Sequence, residues 1–262
     1  MRAKKRFGQH FLQPEWAEKL VQAIQPAPED EFLEIGPGPG ALTLRLASRV
    51  AHVTAVELDS DMIALLRPSL PTNVTLLESD ILDADLGALI GDRKVRVAGN
   101  LPYNVSSPIL FRLLDAHRTT GRLIDATLML QREVAERIEA HPGTKDYGVL
   151  SIFAQLHADV RRLLALPPGA FRPAPRVHSS VIRLTFRPPA VRIIDESLFG
   201  SMVRSMFTQR RKTLGNALKP FAALRNVNAA AALSAAGIDP TRRPETLQLD
   251  ELARLADVFI SP

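Results

Sequence analysis

The sequence predicts an α/β fold: a parallel sheet with helices on both faces, followed by a smaller all-helical domain. Three observations predict it. Short β-rich apolar runs alternate with helical patterns through the first half of the chain, the signature of βαβ units. Four polar positions, Gly36, Glu57, Asp80 and Asn100, each fall at the end of such a run. In open parallel sheets ligands sit outside the carboxyl ends of the strands, so this recurrence points to one site. Finally, Pro188-Pro189 separates this pattern from Ser197 to Ile260, which has helical periodicity, Ala-rich stretches and no convincing strand.

In chain order, Glu31 to Ile35 reads as the first strand and runs into Gly36-Pro37-Gly38-Pro39-Gly40. Ala41 to Arg49 follows as a helix. His52 to Val56 is a second strand, ending in Glu57. Ser60 to Leu66 is a helix with Asp59 or Ser60 as N-cap and Pro68 as stop. Val74 to Leu77, Val95 to Ala98 and Ala126 to Leu130 are three more strands, and Ile109 to His117 and Glu133 to Glu139 are helices. Gly148 to His157 is helical. Val160 to Leu166 and Val181 to Phe186 are two further strands, flanking the Pro-rich loop Pro167 to Pro175. The expected division is 1–188, with a basic arm at 1–14, and 189–262. There is no internal repeat.

Charge is segregated. The chain carries +5, yet Val160 to Ile238 holds thirteen Arg or Lys against only Asp195 and Glu196, and residues 2–6 add four more cations. The remainder is therefore net −10. A basic face of this kind suits a polyanion such as nucleic acid. The absence of cysteine excludes disulfides, zinc-thiolate sites and cysteine nucleophiles, and fits a reducing, cytoplasmic location. No metal site is expected. No apolar run approaches a membrane span. Phe7-Gly8-Gln9-His10 follows the basic start where a leader would have an apolar core, so no secretory signal is expected.

The Gly loop joins a strand to a helix. Its glycines permit positive φ and close backbone approach, and a helix N-terminus there would favour a carboxylate or phosphate. Because Gly36, Gly38 and Ala41 match a dinucleotide fingerprint, the loop leaves NAD and S-adenosylmethionine both open. Glu57 suits the two hydroxyls of a ribose, which both cofactors have. Asp80 suits an adenine amine, or equally a helix N-cap.

Asn100-Leu101-Pro102-Tyr103 separates the two cofactors. It resembles the Asp/Asn/Ser-Pro-Pro-Tyr/Phe loop of amino-methylating DNA and RNA methyltransferases. The residue types fit the chemistry. An adenine N6 lone pair is delocalised into the ring, and two acceptors on its N–H groups favour a pyramidal, nucleophilic nitrogen. The Asn100 side-chain oxygen and the Leu101 carbonyl can supply them. Pro102 stiffens the turn, and Tyr103 offers a face for the base. The donor is cationic and its leaving group neutral, so positioning carries the step without a strong base. A dehydrogenase would need a His or a Lys–Tyr pair beyond the fourth strand, and this loop has neither. Phe171 is a candidate second wall for the flipped base, with Arg172 and Arg176 as phosphate contacts. Taken alone, a phenylalanine in such a loop is more often core than stacking platform.

Taken together, the chain closely resembles the small-subunit (16S) ribosomal RNA adenine N6,N6-dimethyltransferases, the KsgA family. The matching stretches run from Lys5 to Leu12, Glu34 to Gly40, Val56 to Asp59, Gly99 to Tyr103, Gln131 to Val134, Tyr147-Gly148, Phe171 to Ser179, Phe207 to Leu214, Ala236 to Pro240 and Arg243 to Glu245. The resemblance implies a Rossmann-like, S-adenosylmethionine-dependent enzyme that dimethylates two adjacent adenines near the 3′ end of small-subunit rRNA during subunit biogenesis. It places His10 and Leu12 over the cofactor, Gly36 by its methionine part with Gly38 also binding the cofactor, Glu57 on the ribose, Asp80 on the adenine, and Asn100 between cofactor and target. Position 10 is Asn in many members and His here. Arg204, Arg210, Arg211 and Lys212 become a phosphate-binding helix. The implied partner is the small ribosomal subunit, at the 3′-terminal hairpin region of its RNA, met by a monomer. Two other readings share many of these features: a large-subunit adenine methyltransferase of the macrolide-resistance type, and a non-catalytic assembly or transcription factor on the same fold.

Overall fold

A computed structural model describes residues 9–260, so the basic cluster at 2–6 and Phe7-Gly8 lie outside the described residues. The chain divides into two compact units. The first comprises Met1–Ala135 and Asp159–Phe186, the second Glu136–Ala158 and Arg187–Pro262. The expected division at 188 therefore needs correction: 136–158 belongs to the second unit. Helical periodicity on either side of that segment hides a change of partner, because periodicity reports a buried face and not what buries it.

The first unit holds a seven-stranded sheet. Its strands are β2 (Glu31–Ile35), β3 (His52–Glu57), β4 (Val74–Glu78), β5 (Val95–Asn100), β6 (Leu123–Gln131), β7 (Ala158–Leu166) and β9 (Ser179–Phe186), in the order β4-β3-β2-β5-β6-β9-β7. The first five pair in parallel: β2 lies beside both β3 and β5, with Ile35 opposite Val56 on one side and Gly99 on the other. The order reverses between β2 and β5, which makes their carboxyl ends the ligand crevice. The sheet is not wholly parallel, since β9 runs antiparallel to β6, Asp125 pairing with Thr185 and Gln131 with Ser179. Strands β3, β5 and β6 are buried along nearly their whole length, as strands covered on both faces are, with Arg96 and Asp125 among the buried residues.

Two short strands form a separate ribbon: β1 (Phe11–Leu12) pairs antiparallel with β8 (Phe171–Arg172), Phe11 opposite Arg172 and Leu12 opposite Phe171. Two residues show no alternation to read, so the sequence does not announce them. Helix α1 (Pro14–Ile24) follows β1. Pro14 opens it, where a missing N–H costs nothing, and Ala17, Leu20, Val21 and Ile24 form its buried stripe. Its C-terminal carbonyls are clamped from below. Arg96 donates to the Ile24 carbonyl at 2.8 Å and the Gln25 carbonyl at 3.2 Å while pairing with Asp125 at 2.8 Å and Asp30 at 2.6 Å. Arg183 adds 2.8 and 2.7 Å bonds to the Ala23 and Ile24 carbonyls.

Helices α2 (Thr43–Ala47), α3 (Ser60–Leu66), α4 (Leu86–Ile90) and α5 (Ser106–Thr120) connect the parallel strands. Asp59 and Asp85 cap α3 and α4 through their carboxylates. Helix α2 is one turn, shorter than the 41–49 the sequence suggests, because residues 38–42 are spent on the turn out of the Gly loop. Helix α6 (Arg132–Glu139) spans the change of unit.

The second unit is helical: α7 (Val149–His157), α8 (Glu196–Thr208), α9 (Leu214–Ala217), α10 (Lys219–Ala223), α11 (Ala229–Ala235) and α12 (Leu249–Asp257). Tyr147, Ile152, Leu156, Phe199, Met202, Leu233 and Leu252 are among its buried core. The buried Tyr147 hydroxyl donates to the Leu247 carbonyl at 3.1 Å. Arg242 grips Glu251 at 2.5 and 3.0 Å. No helix among the described residues is long and apolar enough to cross a membrane.

Candidate active site

One cavity opens at the carboxyl ends of β2, β3 and β5. His10, Leu12, Gly36, Gly38, Glu57, Asp80, Asn100, Leu101, Pro102 and Tyr103 all line it. The cavity is open at its mouth, and about 1210 Å³ of space lies within it when the adjoining solvent is included. Phe171, Arg172 and Arg176 do not line it.

The Gly loop forms its floor. Gly36, Gly38 and Gly40 have φ of 69°, 53° and 86°, a region other residues enter at a cost. At Gly40 space is limiting as well: a Cβ would come within 2.4 Å of the Leu66 side chain. Glu57 shapes the loop from β3. Its Oε2 accepts the Gly38 N–H at 2.9 Å, and Oε1 accepts from Leu58 N at 3.0 Å and Asp59 N at 2.9 Å. Gly38 thus spends its N–H on Glu57, not on a ligand. Each carboxylate oxygen has more than one lone-pair site, so Glu57 can still receive hydroxyls. Asp80 accepts Leu82 N at 2.9 Å through Oδ1 and closes the turn after β4.

Beside the loop stands Glu34, the first residue of the Glu34 to Gly40 stretch, to which the sequence assigns no separate role. It is fully buried, and its Oε2 finds no hydrogen-bond partner. Burial pushes its carboxyl up to about 8, a rise that Thr43 opposes and the nearby Glu57 charge reinforces. A neutral acid beneath the loop is the consequence. A charged residue inside an apolar strand was the available signal.

The reaction loop leaves β5 as expected. Leu101 N donates to the Met129 carbonyl at 3.1 Å, tying the loop to β6. Asn100 Nδ2 donates to the His10 carbonyl at 2.8 Å, which leaves Oδ1 as the acceptor end of the amide. The Tyr103 hydroxyl shares a 2.6 Å hydrogen bond with Ser179 Oγ, and burial raises its pKa, so it stays neutral. Against Tyr103 lies the His10 ring, 5.6 Å between centroids and 25° from parallel. Pro173 O can only accept, so the 2.8 Å contact to His10 Nδ1 fixes Nδ1 as the protonated nitrogen. Gln9 Nε2 donates to Asp59 at 2.8 Å. Neither Gln9 nor Ser179 was singled out beforehand, since each acts through a contact distant in sequence.

Two expectations are corrected. Phe171 is not a stacking wall: it is 1% exposed and packs in the core with Leu12, Leu20, Met129 and Val181. An apolar ring opposite Leu12 on the β1–β8 ribbon gains more from burial than from waiting in solvent. Arg210, Arg211 and Lys212 do not lie on a helix; they form the turn between α8 and α9. Arg210 is also engaged, with Nε 3.1 Å from Glu245 and a further bond to the Lys145 carbonyl. Arg211 and Lys212 are exposed, and with Lys145 and Phe207 they line a groove in the second unit. Arg204 lies over the Phe153 ring at 4.9 Å. Arg172 and Arg176 are exposed.

The donor set fits S-adenosylmethionine: a carboxylate at the ribose position, a positive-φ loop, and a neutral acid where a second fixed charge would crowd Glu57. Comparison with known proteins agrees. Ribosomal RNA small subunit methyltransferase A of Geobacter metallireducens is 45% identical over 271 residues, covering 100% of this chain and 97% of the relative. The protein of the same name from Geobacter sulfurreducens is 46% identical over 270 residues, covering 97% and 94%. Among solved structures, a dimethyladenosine transferase from Plasmodium falciparum superposes with TM-score 0.75 at 25% identity, covering 94% of this chain and 96% of that one. The 23S rRNA methyltransferase ErmE gives 0.69 at 25%, covering 96% and 100%. The sequence profile of the ribosomal RNA adenine dimethylase family matches residues 1–260. The chain is therefore an S-adenosylmethionine-dependent methyltransferase with a Rossmann-like sheet, and it belongs to the ribosomal RNA adenine dimethylase family.

Proposed function

We propose that this enzyme transfers methyl groups from S-adenosylmethionine to N6 of two adjacent adenines near the 3′ end of small-subunit rRNA, during subunit biogenesis in the cytoplasm. The observation that carries the chemistry is the Asn100 amide, pinned through Nδ2 to the His10 carbonyl with Oδ1 left to accept. Bound S-adenosylmethionine supplies an electrophilic methyl on a sulfonium. The chain's own residues do the rest. Asn100 Oδ1 and the Leu101 carbonyl accept the two N6 hydrogens and turn the nitrogen lone pair outward. Tyr103, fixed by Ser179, holds the plane of the base. Glu57 and the Gly loop hold the donor, and Asp80 takes its adenine. Burial excludes water around Leu101, which is 1% exposed.

The names of the relatives favour the small subunit as partner; the 3′-terminal hairpin region as the target and a monomeric enzyme are part of the same proposal. Exposed Arg172 and Arg176 near the ribbon, and Arg211 and Lys212 with Arg204 in the helical unit, are the proposed phosphate contacts. The likeness to ErmE keeps a large-subunit adenine in view as the second reading. Labelled methyl transfer to immature small subunits, with mass-spectrometric mapping of dimethyladenine, tests both. Label confined to large-subunit RNA would replace the proposal, and binding without any transfer would leave only a scaffold role.

A further inference from the structure

The His10 side chain occupies a place that the reaction needs. Tyr103 cannot turn away to offer another orientation, because its hydroxyl is held 2.6 Å from Ser179 Oγ. One of its faces already carries an aromatic ring, the His10 imidazole, 5.6 Å away and nearly parallel. Among the described residues, that ring is tethered at Nδ1, by the 2.8 Å bond to the Pro173 carbonyl in the exposed Pro-rich loop. The His10 backbone is held more firmly: its carbonyl takes Asn100 Nδ2, and the next two residues pair with β8. Backbone and side chain thus have separable jobs.

We propose that the His10 imidazole is a removable cover on the base-stacking face of Tyr103, a stand-in for the target adenine that the arriving base displaces. This rests on the reading of Tyr103 as the adenine platform. One flat heteroaromatic ring replaces another, so the face is never left bare to water. The Nδ1–Pro173 bond breaks as the side chain swings out. The His10 carbonyl stays, keeping the Asn100 amide oriented while the amine arrives. His10 is in this sense a positioning residue through its carbonyl and a gate through its ring. Bases that stack too weakly to displace the ring do not reach the acceptors.

The chain has only two tyrosines, Tyr103 and Tyr147. Labelling with 3-fluorotyrosine therefore gives one fluorine probe on the platform and one internal reference in the helical unit. With S-adenosylhomocysteine saturating the cofactor side, adenosine 5′-monophosphate is titrated into wild type, His10→Ala and His10→Asn. Both variants lose the ring and keep the carbonyl. The expected result is that both bind the nucleotide roughly three- to tenfold more tightly than wild type, the equivalent of one aromatic contact no longer displaced. The Tyr103 fluorine should also shift in the free variants towards an uncovered ring. Equal or weaker nucleotide binding by both variants overturns the cover and makes the imidazole part of the binding wall. If the nucleotide leaves the Tyr103 fluorine unmoved in all three proteins, the platform reading itself fails, and this inference with it.

Discussion

At Asn100 one hydrogen bond decides which end of an amide meets the substrate. Replacing Asn100 with Ala removes the acceptor without touching Glu57 or the Gly loop. Turnover should fall about a hundredfold or more, the cost of losing one preorganised polar group, while calorimetry shows cofactor binding nearly unchanged. Glu34 gives a different kind of prediction. Its folded pKa, about 8, lies above the ordinary value of 4.5, so the folded state holds a proton that the unfolded chain releases above 4.5. Stability from this group is complete below that point and is lost as pH rises towards 8. Glu34→Gln should flatten the fall, so denaturant midpoints of the variant gain on wild type between pH 5 and 8. A constant difference across that range would refute the buried neutral acid. Residue types at strand ends were legible in the sequence because cofactor chemistry restricts them. The His10–Tyr103 stack was not, since nothing local records which face of a ring is covered.

The elements were legible where periodicity was long enough to show. The five parallel strands and the order of motifs at their ends follow from apolar runs and Gly or acidic punctuation. The antiparallel β9 was read as a strand but not as the neighbour of β6, because pairing is a property of two segments. The β1–β8 ribbon is the clearest loss. Its two-residue strands carry no alternation, so the sequence leaves Phe171 between a wall of the site and the core. The structure makes it a peg that holds β1 to the core. Phe171→Ala should therefore cost about 3–5 kcal/mol in chemical denaturation, and Phe171→Leu distinctly less. A stacking residue would give the opposite pattern, with intact stability and impaired catalysis.

Over the whole molecule, charge segregation was visible from composition, but its use depends on which cations are already spent. Arg210 is held by Glu245, whereas Arg211 and Lys212 are exposed. Reversing only Arg211 and Lys212 to Glu should weaken binding to small subunits and lower the log–log salt slope by roughly 1.5–2, without moving the melting temperature. An unchanged slope would exclude these two from phosphate contact. The division into units was misread for a physical reason: 136–158 has ordinary helical patterning whichever core it serves. That interruption bears on how the protein is made. Synthesis delivers the five parallel strands and Asn100 first, then a segment of the other unit, and only afterwards β7, Phe171, Pro173 and β9. A nascent chain that ends at residue 158 already owns its reaction loop, yet lacks the partner strand of β1, the tether of His10 and the Ser179 hydroxyl that steadies Tyr103. The β1–β8 pairing, the His10 tether and the Ser179 hydroxyl are thus all contributed by chain made after the first segment of the other unit.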